Sequence, residues 1–144
     1  MNIIEQLILR VIDANINRLR EGLRVSEDIC RFALNDETLS QQLKALRHQV
    51  KQASDLIAPY PQLLHARDVQ SDVGAATPNK DEDQRDNIQR ILAANMKRTQ
   101  ECCRVLEEFA KLYSNEAAST FKTMRYNLYA LEKNIYDIME ERKI

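Results

Sequence analysis

The chain of 144 residues has little that breaks a helix: two glycines, three prolines and no tryptophan. All three prolines and one of the glycines fall within residues 59–78. The segments on either side therefore run uninterrupted, which favours helices over a strand-and-turn protein. Charge of one sign is also missing, because 21 Lys and Arg stand against 22 Asp and Glu, and the isoelectric point is about 6.1. No global positive field draws such a chain to nucleic acid or to an anionic membrane, so any anion site has to be local. No apolar run reaches membrane-spanning length and the N-terminus lacks the order of a signal peptide, so a cytoplasmic protein is expected. Cys30, Cys102 and Cys103 are an odd set without a Cys-x-x-Cys or a histidine at ligand spacing. That argues against zinc or a disulfide framework and reads them as buried small hydrophobes.

What remains is 44% hydrophobic and 30% charged, enough for one domain over residues 1–144. Periodicity and caps predict four helices. The first runs from about Ile3 to Leu34, opened by Asn2 with Glu5. The second runs from about Leu39 to Ile57, opened by Thr38 with Gln41, and its stripe is Leu39, Leu43, Leu46, Val50, Ala53 and Ile57. The third starts after Asn79, which stands three before Glu82, and the fourth spans about Glu116 to Glu141 with Phe121, Met124, Leu128, Leu131, Ile135 and Ile138 inward.

The first and third segments are copies. Residues 10–35 align without a gap on residues 90–115, and nine of these 26 pairs are identical, where composition alone would give roughly one or two. The second and fourth match at an offset of 78, "LKALRHQV" over "FKTMRYNL", pairing Lys44 with Lys122 and Arg47 with Arg125. The expected fold is all-α: a four-helix bundle built from a duplicated helical hairpin with internal pseudo-twofold symmetry. Its parts are a first hairpin at about 2–57, a connecting loop at 58–80 and a second hairpin at about 81–141.

The stripe assigned to the inside of the first helix is Ile4, Ile8, Val11, Asn15, Arg18, Gly22, Val25, Ile29 and Phe32. That of the third is Ile88, Ile91, Asn95, Arg98, Cys102, Val105, Phe109 and Leu112. Both are interrupted at the same heights, by Asn15 and Arg18 and by Asn95 and Arg98. Buried arginine has to meet something negative. Two readings stay open: Glu21 and Glu101 close a register-fixing network, or the layer holds a phosphate or carboxylate, which Arg's planar fork suits. Arg24, Arg104, Glu27 and Glu107 are expected on a solvated face or at the rim of the site, with Arg47 and Arg125 adding positive charge if turned inward. A second row, including Ile12, Ile16, Leu19, Leu23, Leu92, Met96 and Leu106, is expected in the core.

The loop carries Leu63, Leu64 and Val73, which suggests that it packs. Asp68 and Asp72 are turn and cap aspartates or, alternatively, a magnesium pair. His48 and His65 lack spacing partners and are expected to be structural.

Taken together, "DANINRLREGLRVSEDICRFALND", "ARDVQSDVG" and "AANMKRTQECCRVLEEFAKL" resemble the helical domain that precedes the barrel of certain bacterial thiamine-phosphate synthases. The resemblance implies hydroxymethylpyrimidine phosphate kinase activity with ATP and magnesium, and places Asn15, Arg18, Asn95 and Arg98 on the family's repeat motif and Asp68 and Asp72 on its loop motif. The roles expected of them are Arg18 and Arg98 on phosphate oxygens, Asn15 and Asn95 orienting the ligand, and Asp68 or Asp72 on the metal. Glu21, Glu101, Arg24 and Arg104 fall on the same repeat motif, and Arg67 and Gly74 on the loop motif. No Gly-x-x-x-x-Gly-Lys-Ser/Thr loop is present, so a nucleotide would rest on Arg and Lys side chains and helix N-termini. Implied partners are a small phosphorylated pyrimidine and a separate thiamine-phosphate synthase, with no nucleic acid and no membrane; a homodimer stays open. Competing functions are an arginine-lined isomerase of a small dianion, which would need no nucleotide, and a non-catalytic module that docks a thiamine-pathway enzyme through the row of Ile12 and Leu92.

Overall fold

The computed structural model describes residues 1–78 and 84–144, and among them all regular structure is helical. Helix α1 (Ile3–Asp28) runs on through one π-helical turn, Ile29–Ala33. It is followed by α2 (Glu37–Asp55), α3 (Tyr60–Ala66), α4 (Ile88–Ala110) and α5 (Asn115–Arg142). No helix among the described residues is long and apolar enough to cross a membrane.

The helix starts follow capping chemistry. Asn2 accepts from the Glu5 amide at 2.8 Å, as expected. Helix α2 is capped by Asp36, not Thr38: its carboxylate accepts from the Leu39 amide at 2.9 Å. The cause lies one residue earlier, where Asn35 takes a left-handed φ of 50° that asparagine tolerates and that ends the preceding helix. The cap expected at Asn79 and Glu82 lies outside the described residues. Helix α4 opens instead at Asn87, which accepts from the Arg90 amide at 2.9 Å. Ser114 caps α5, so the identical pair Asn35 and Asn115 plays two different parts, one ending a helix and one beginning it.

Helix α1 packs on α2, α3 and α4, while α5 packs on α4 and α2. The N-terminal Ile4 and the distant Leu112 line one crevice, and Gly22 meets Asn95 and Thr99, so α1 and α4 cross antiparallel. Gln89 donates to the Ile144 carbonyl at 2.8 Å, bringing the start of α4 to the end of α5. Arg142 donates to the Leu34 carbonyl, bringing the ends of α1 and α5 together.

The core corrects the stripe assignment on α1 and α4. The row assigned to the interior by its 3,4 spacing is buried only in part: Ile4 is 66% exposed, Phe32 69% and Leu112 63%, and Arg18 and Arg98 are exposed, whereas Asn15, Gly22 and Cys102 are buried and Ile8, Ile29 and Phe109 pack against the core. The second row supplies the interior, with Leu9, Ile12, Leu19, Leu23, Leu92, Met96 and Leu106 at or near zero exposure. A docking role for Ile12 and Leu92 is thereby overturned, since both lie at 0% exposure. Two regular apolar rows run along these helices, and spacing alone cannot tell which one α2 and α5 cover. On α2 and α5, which carry one row each, the expected stripes face the core, with Leu131 and Ile138 of α5 only partly buried. All three cysteines are buried thiols. In the loop, Leu63 packs into the core from α3, but Leu64 (42% exposed) and Val73 (98%) do not.

Candidate functional site

The duplicated polar residues gather at the crossing of α1 and α4, on its outer side. Asn15 is buried and its amide donates to the Val11 carbonyl at 2.9 Å; in the other copy Asn95 donates to the Ile91 carbonyl at 2.8 Å. Each amide thus satisfies its own helix, so the asparagines stand at the crossing without needing a ligand. Arg18, Arg98, Glu21 and Glu101 are exposed. All four act electrostatically on Cys102, whose thiol burial pushes up to about 11 while the two arginines pull it down. The charges of both repeats therefore surround one point. The internal network, one of the two readings left open, does not form: among the described residues no ion pair joins Arg18 to Glu21 or Arg98 to Glu101. All four groups are exposed, so nothing forces the arginines onto an internal partner.

The buried ion pairs form one turn farther along. Glu27, expected on a solvated face, is 2% exposed and accepts two bonds from Arg47 Nη2, at 3.0 and 3.1 Å, with Arg24 at 3.5 Å. Glu107, likewise expected outside, is 5% exposed and binds Arg125 at 2.9 Å and Arg104 at 3.0 Å. Each glutamate sits four residues beyond a core position, Leu23 or Cys103, and so turns toward the next helix of its own hairpin. Arg47 and Arg125 do turn inward. The first network borders a cavity of about 500 Å³ whose wall includes Arg24, Arg31, Lys44 and Arg47.

A second cavity joins the crossing to the loop. A groove of about 570 Å³ runs between α1 and residues 67–73, and Arg10, Asn15, Arg18, Asp68, Ser71 and Asp72 line it. Its far wall is held by Arg67, which grips the buried Asp13 through two bonds of 2.8 and 3.0 Å. That pairing raises the Arg67 pKa further above its ordinary value. Arg10 donates to the Asp68 carbonyl at 2.8 Å, a second tie between helix and loop. The volume suits a small molecule, and both guanidinium groups and carboxylates line it. Arg98, Asn95 and Glu101 lie at the crossing and are not among the groove's lining residues; Arg104 and Arg125 belong to the Glu107 network.

Asp68 and Asp72 stabilise the loop itself. Asp68 accepts from the Ser71 amide at 3.1 Å, and Asp72 from the Gly74 amide at 2.9 Å. The side-chain and backbone bonds of Ser71 hold the Asp68 carboxyl below its usual range. Among the described residues no cluster of three or more His, Cys, Asp and Glu could cage a metal. Two exposed carboxylates fit magnesium that keeps its waters and takes phosphate oxygens from a substrate, the usual manner of that ion.

Sequence reasoning missed Arg10 and Asp13. The signal was present: Asp13 lies one step from the row of Ile12 and Ile16, where its partner in the second repeat is Ala93. A charge that one copy has and the other lacks marks what the loop needs.

The chain matches the model of the ThiD2 family over residues 10–134. It is 40% identical over 132 residues to a thiamine-phosphate synthase of Nostoc punctiforme, covering 92% of this chain and 36% of that protein. It is 41% identical over 130 residues to the thiamine-phosphate synthase of a Synechocystis species, covering 89% and 36%. A thiamine-phosphate synthase of Rhodopirellula baltica is 39% identical over 123 residues, covering 85% and 32%. The chain thus spans about a third of the length of these relatives. No solved structure matches it.

Proposed function

The chain belongs to the ThiD2 family, and from that premise we propose that it is a cytoplasmic protein of thiamine biosynthesis that phosphorylates hydroxymethylpyrimidine phosphate, with ATP as donor. We propose as well that its four long helices form a four-helix bundle descended from a duplicated hairpin. The matched pairs Asn15–Val11 and Asn95–Ile91, and the matched networks at Glu27 and Glu107, support that descent.

The observation that carries the catalytic reading is the groove that Arg10, Arg18, Asp68 and Asp72 line together. In the proposed reaction an oxygen of the acceptor phosphate bonds to the γ-phosphorus of ATP, the bond from that phosphorus to the β–γ bridging oxygen breaks, and ADP leaves. The acceptor is a phosphate monoester, mostly dianionic at neutral pH since its second pKa is about 6, so no general base is required. His48 and His65, which are not among the groove's lining residues, are left out without loss. Such transfer needs positioning and charge neutralisation. Arg18 is assigned to phosphate oxygens and Asn15 to the pyrimidine side; Arg98 and Asn95, which do not line this groove, are assigned no part in it. Asp68 and Asp72 would hold magnesium, which when bound neutralises charge on the phosphates.

Incubating the purified chain with the monophosphate, ATP and magnesium should give the diphosphate by mass. Arg18→Ala and Asp72→Asn should each lower kcat/KM about a hundredfold. Absence of product from the wild-type chain would refute the reaction. Product with unchanged rates in both variants would refute the site.

A further inference from the structure

The stripe that the interior covers only in part, leaving its ends and its arginines exposed, is also the most regular feature of the sequence. From Ile4 to Phe32, and again from Ile88 to Leu112, it advances by alternating threes and fours, a period of about 3.5 that belongs to helices packed lengthwise on other helices. Because α1 and α4 lie side by side and antiparallel, the two stripes make one face. On α1 it shows Ile4 and Phe32, 66% and 69% exposed, with Val11 and Val25 half-buried. On α4 it shows Leu112, 63% exposed, with Val105 half-buried. At its centre stand Arg18, Arg98, Glu21 and Glu101, two of each sign, exposed and not joined to one another.

We propose that this face binds a second copy of the chain, α1 and α4 of one protomer lying on α1 and α4 of the other, with the arginines of each reaching the glutamates of its partner. The charge pattern selects that occupant. It is net neutral and repeated on two antiparallel helices, so a half-turn brings opposite signs together, the requirement of an isologous interface. A partner of uniform charge would meet repulsion wherever it met attraction. Val11 and Arg18 lie on this face and also line the groove, so the second copy also closes one side of the groove. Arg18 is the residue that the groove and this interface share.

Equilibrium sedimentation of the full chain at micromolar concentration should give twice the single-chain mass of 16.8 kDa. Glu21→Arg with Glu101→Arg should weaken self-association about a hundredfold. Adding Arg18→Glu and Arg98→Glu to the same chain should restore it, a rescue that a purely structural role would not give. Ile4→Glu with Leu112→Glu, at two exposed positions, should dissociate the dimer with helix content unchanged by circular dichroism, and it decides the matter if the charge variants fold poorly. A monomeric wild type overturns the proposal, including one that instead captures a thiamine-phosphate synthase on this face. So does a dimer that survives both the charge reversal and the Ile4 and Leu112 changes. Because mass is read and not turnover, failure here is distinguishable from failure of the kinase.

Discussion

Replacing Gly22 by alanine tests the closeness of α1 and α4 at the centre of the molecule. Two effects oppose each other. Alanine is favoured over glycine inside a helix by about 1 kcal/mol, so in open space Gly22→Ala would stabilise. At this position a Cβ would stand 2.7 Å from Thr99 Cγ2 and 3.0 Å from the Asn95 carbonyl oxygen. The carbonyl is backbone and cannot swing away. Thr99 is fully buried and its hydroxyl donates to the Met96 carbonyl at 2.6 Å, so turning its methyl aside breaks a bond. Forcing one extra carbon into such a contact costs about 1–3 kcal/mol, most of it after relief here because the helices have to part along a long seam. With the upper half of that range governing, the net loss is about 1–2 kcal/mol, or roughly 3–8 °C in Tm for a domain of this size. Thermal melts followed at 222 nm and urea titrations with an unchanged m-value would measure it. Adding Thr99→Ser removes the clashing methyl and keeps the hydroxyl, so the double variant should recover more than half of the loss. A Gly22→Ala chain that melts higher than the wild type by the full propensity gain would refute the close crossing.

The other expected outcomes concern charge and burial. Arg67→Ala leaves the carboxylate of Asp13, 5% exposed, without its two bonds; a loss of about 3 kcal/mol by urea titration is expected, along with faster hydrogen exchange in α3. Glu27→Ala and Glu107→Ala should each destabilise by about 2–3 kcal/mol, because each strands a mostly buried arginine. The networks share no residue, so the double variant should equal the sum to within about 0.5 kcal/mol. Burial pushes Cys30 and Cys103 up to about 12 from an ordinary 9.0. A raised folded pKa gives stability that is complete below the unfolded value and lost as pH rises toward the folded one. Stability should therefore fall between pH about 9 and 12, and Cys30→Ala with Cys103→Ala should flatten that fall. An aromatic disulfide reagent at pH 8 should label the three thiols slowly in the native chain and at once in denaturant.

What the sequence by itself determined was local and periodic: an all-helical chain, its copies at an offset of 80, the cap at Asn2, the stripes of α2 and α5, and buried cysteines. These follow from spacing and from chemistry within a few residues. The choice between two equally regular rows on α1 and α4 belonged to the tertiary structure. Helices α2 and α5 cover the row of Ile12 and Leu92, which leaves Arg18 and Arg98 of the other row exposed and sends Glu27 and Glu107 inward. The pairing of Arg67 with Asp13 was likewise beyond sequence reach, since it joins groups 54 positions apart through a loop whose path no periodicity describes. Periodicity reports that a helix has a side to bury, while the identity of the buried side depends on which neighbours arrive, and that is decided only when the whole chain has packed.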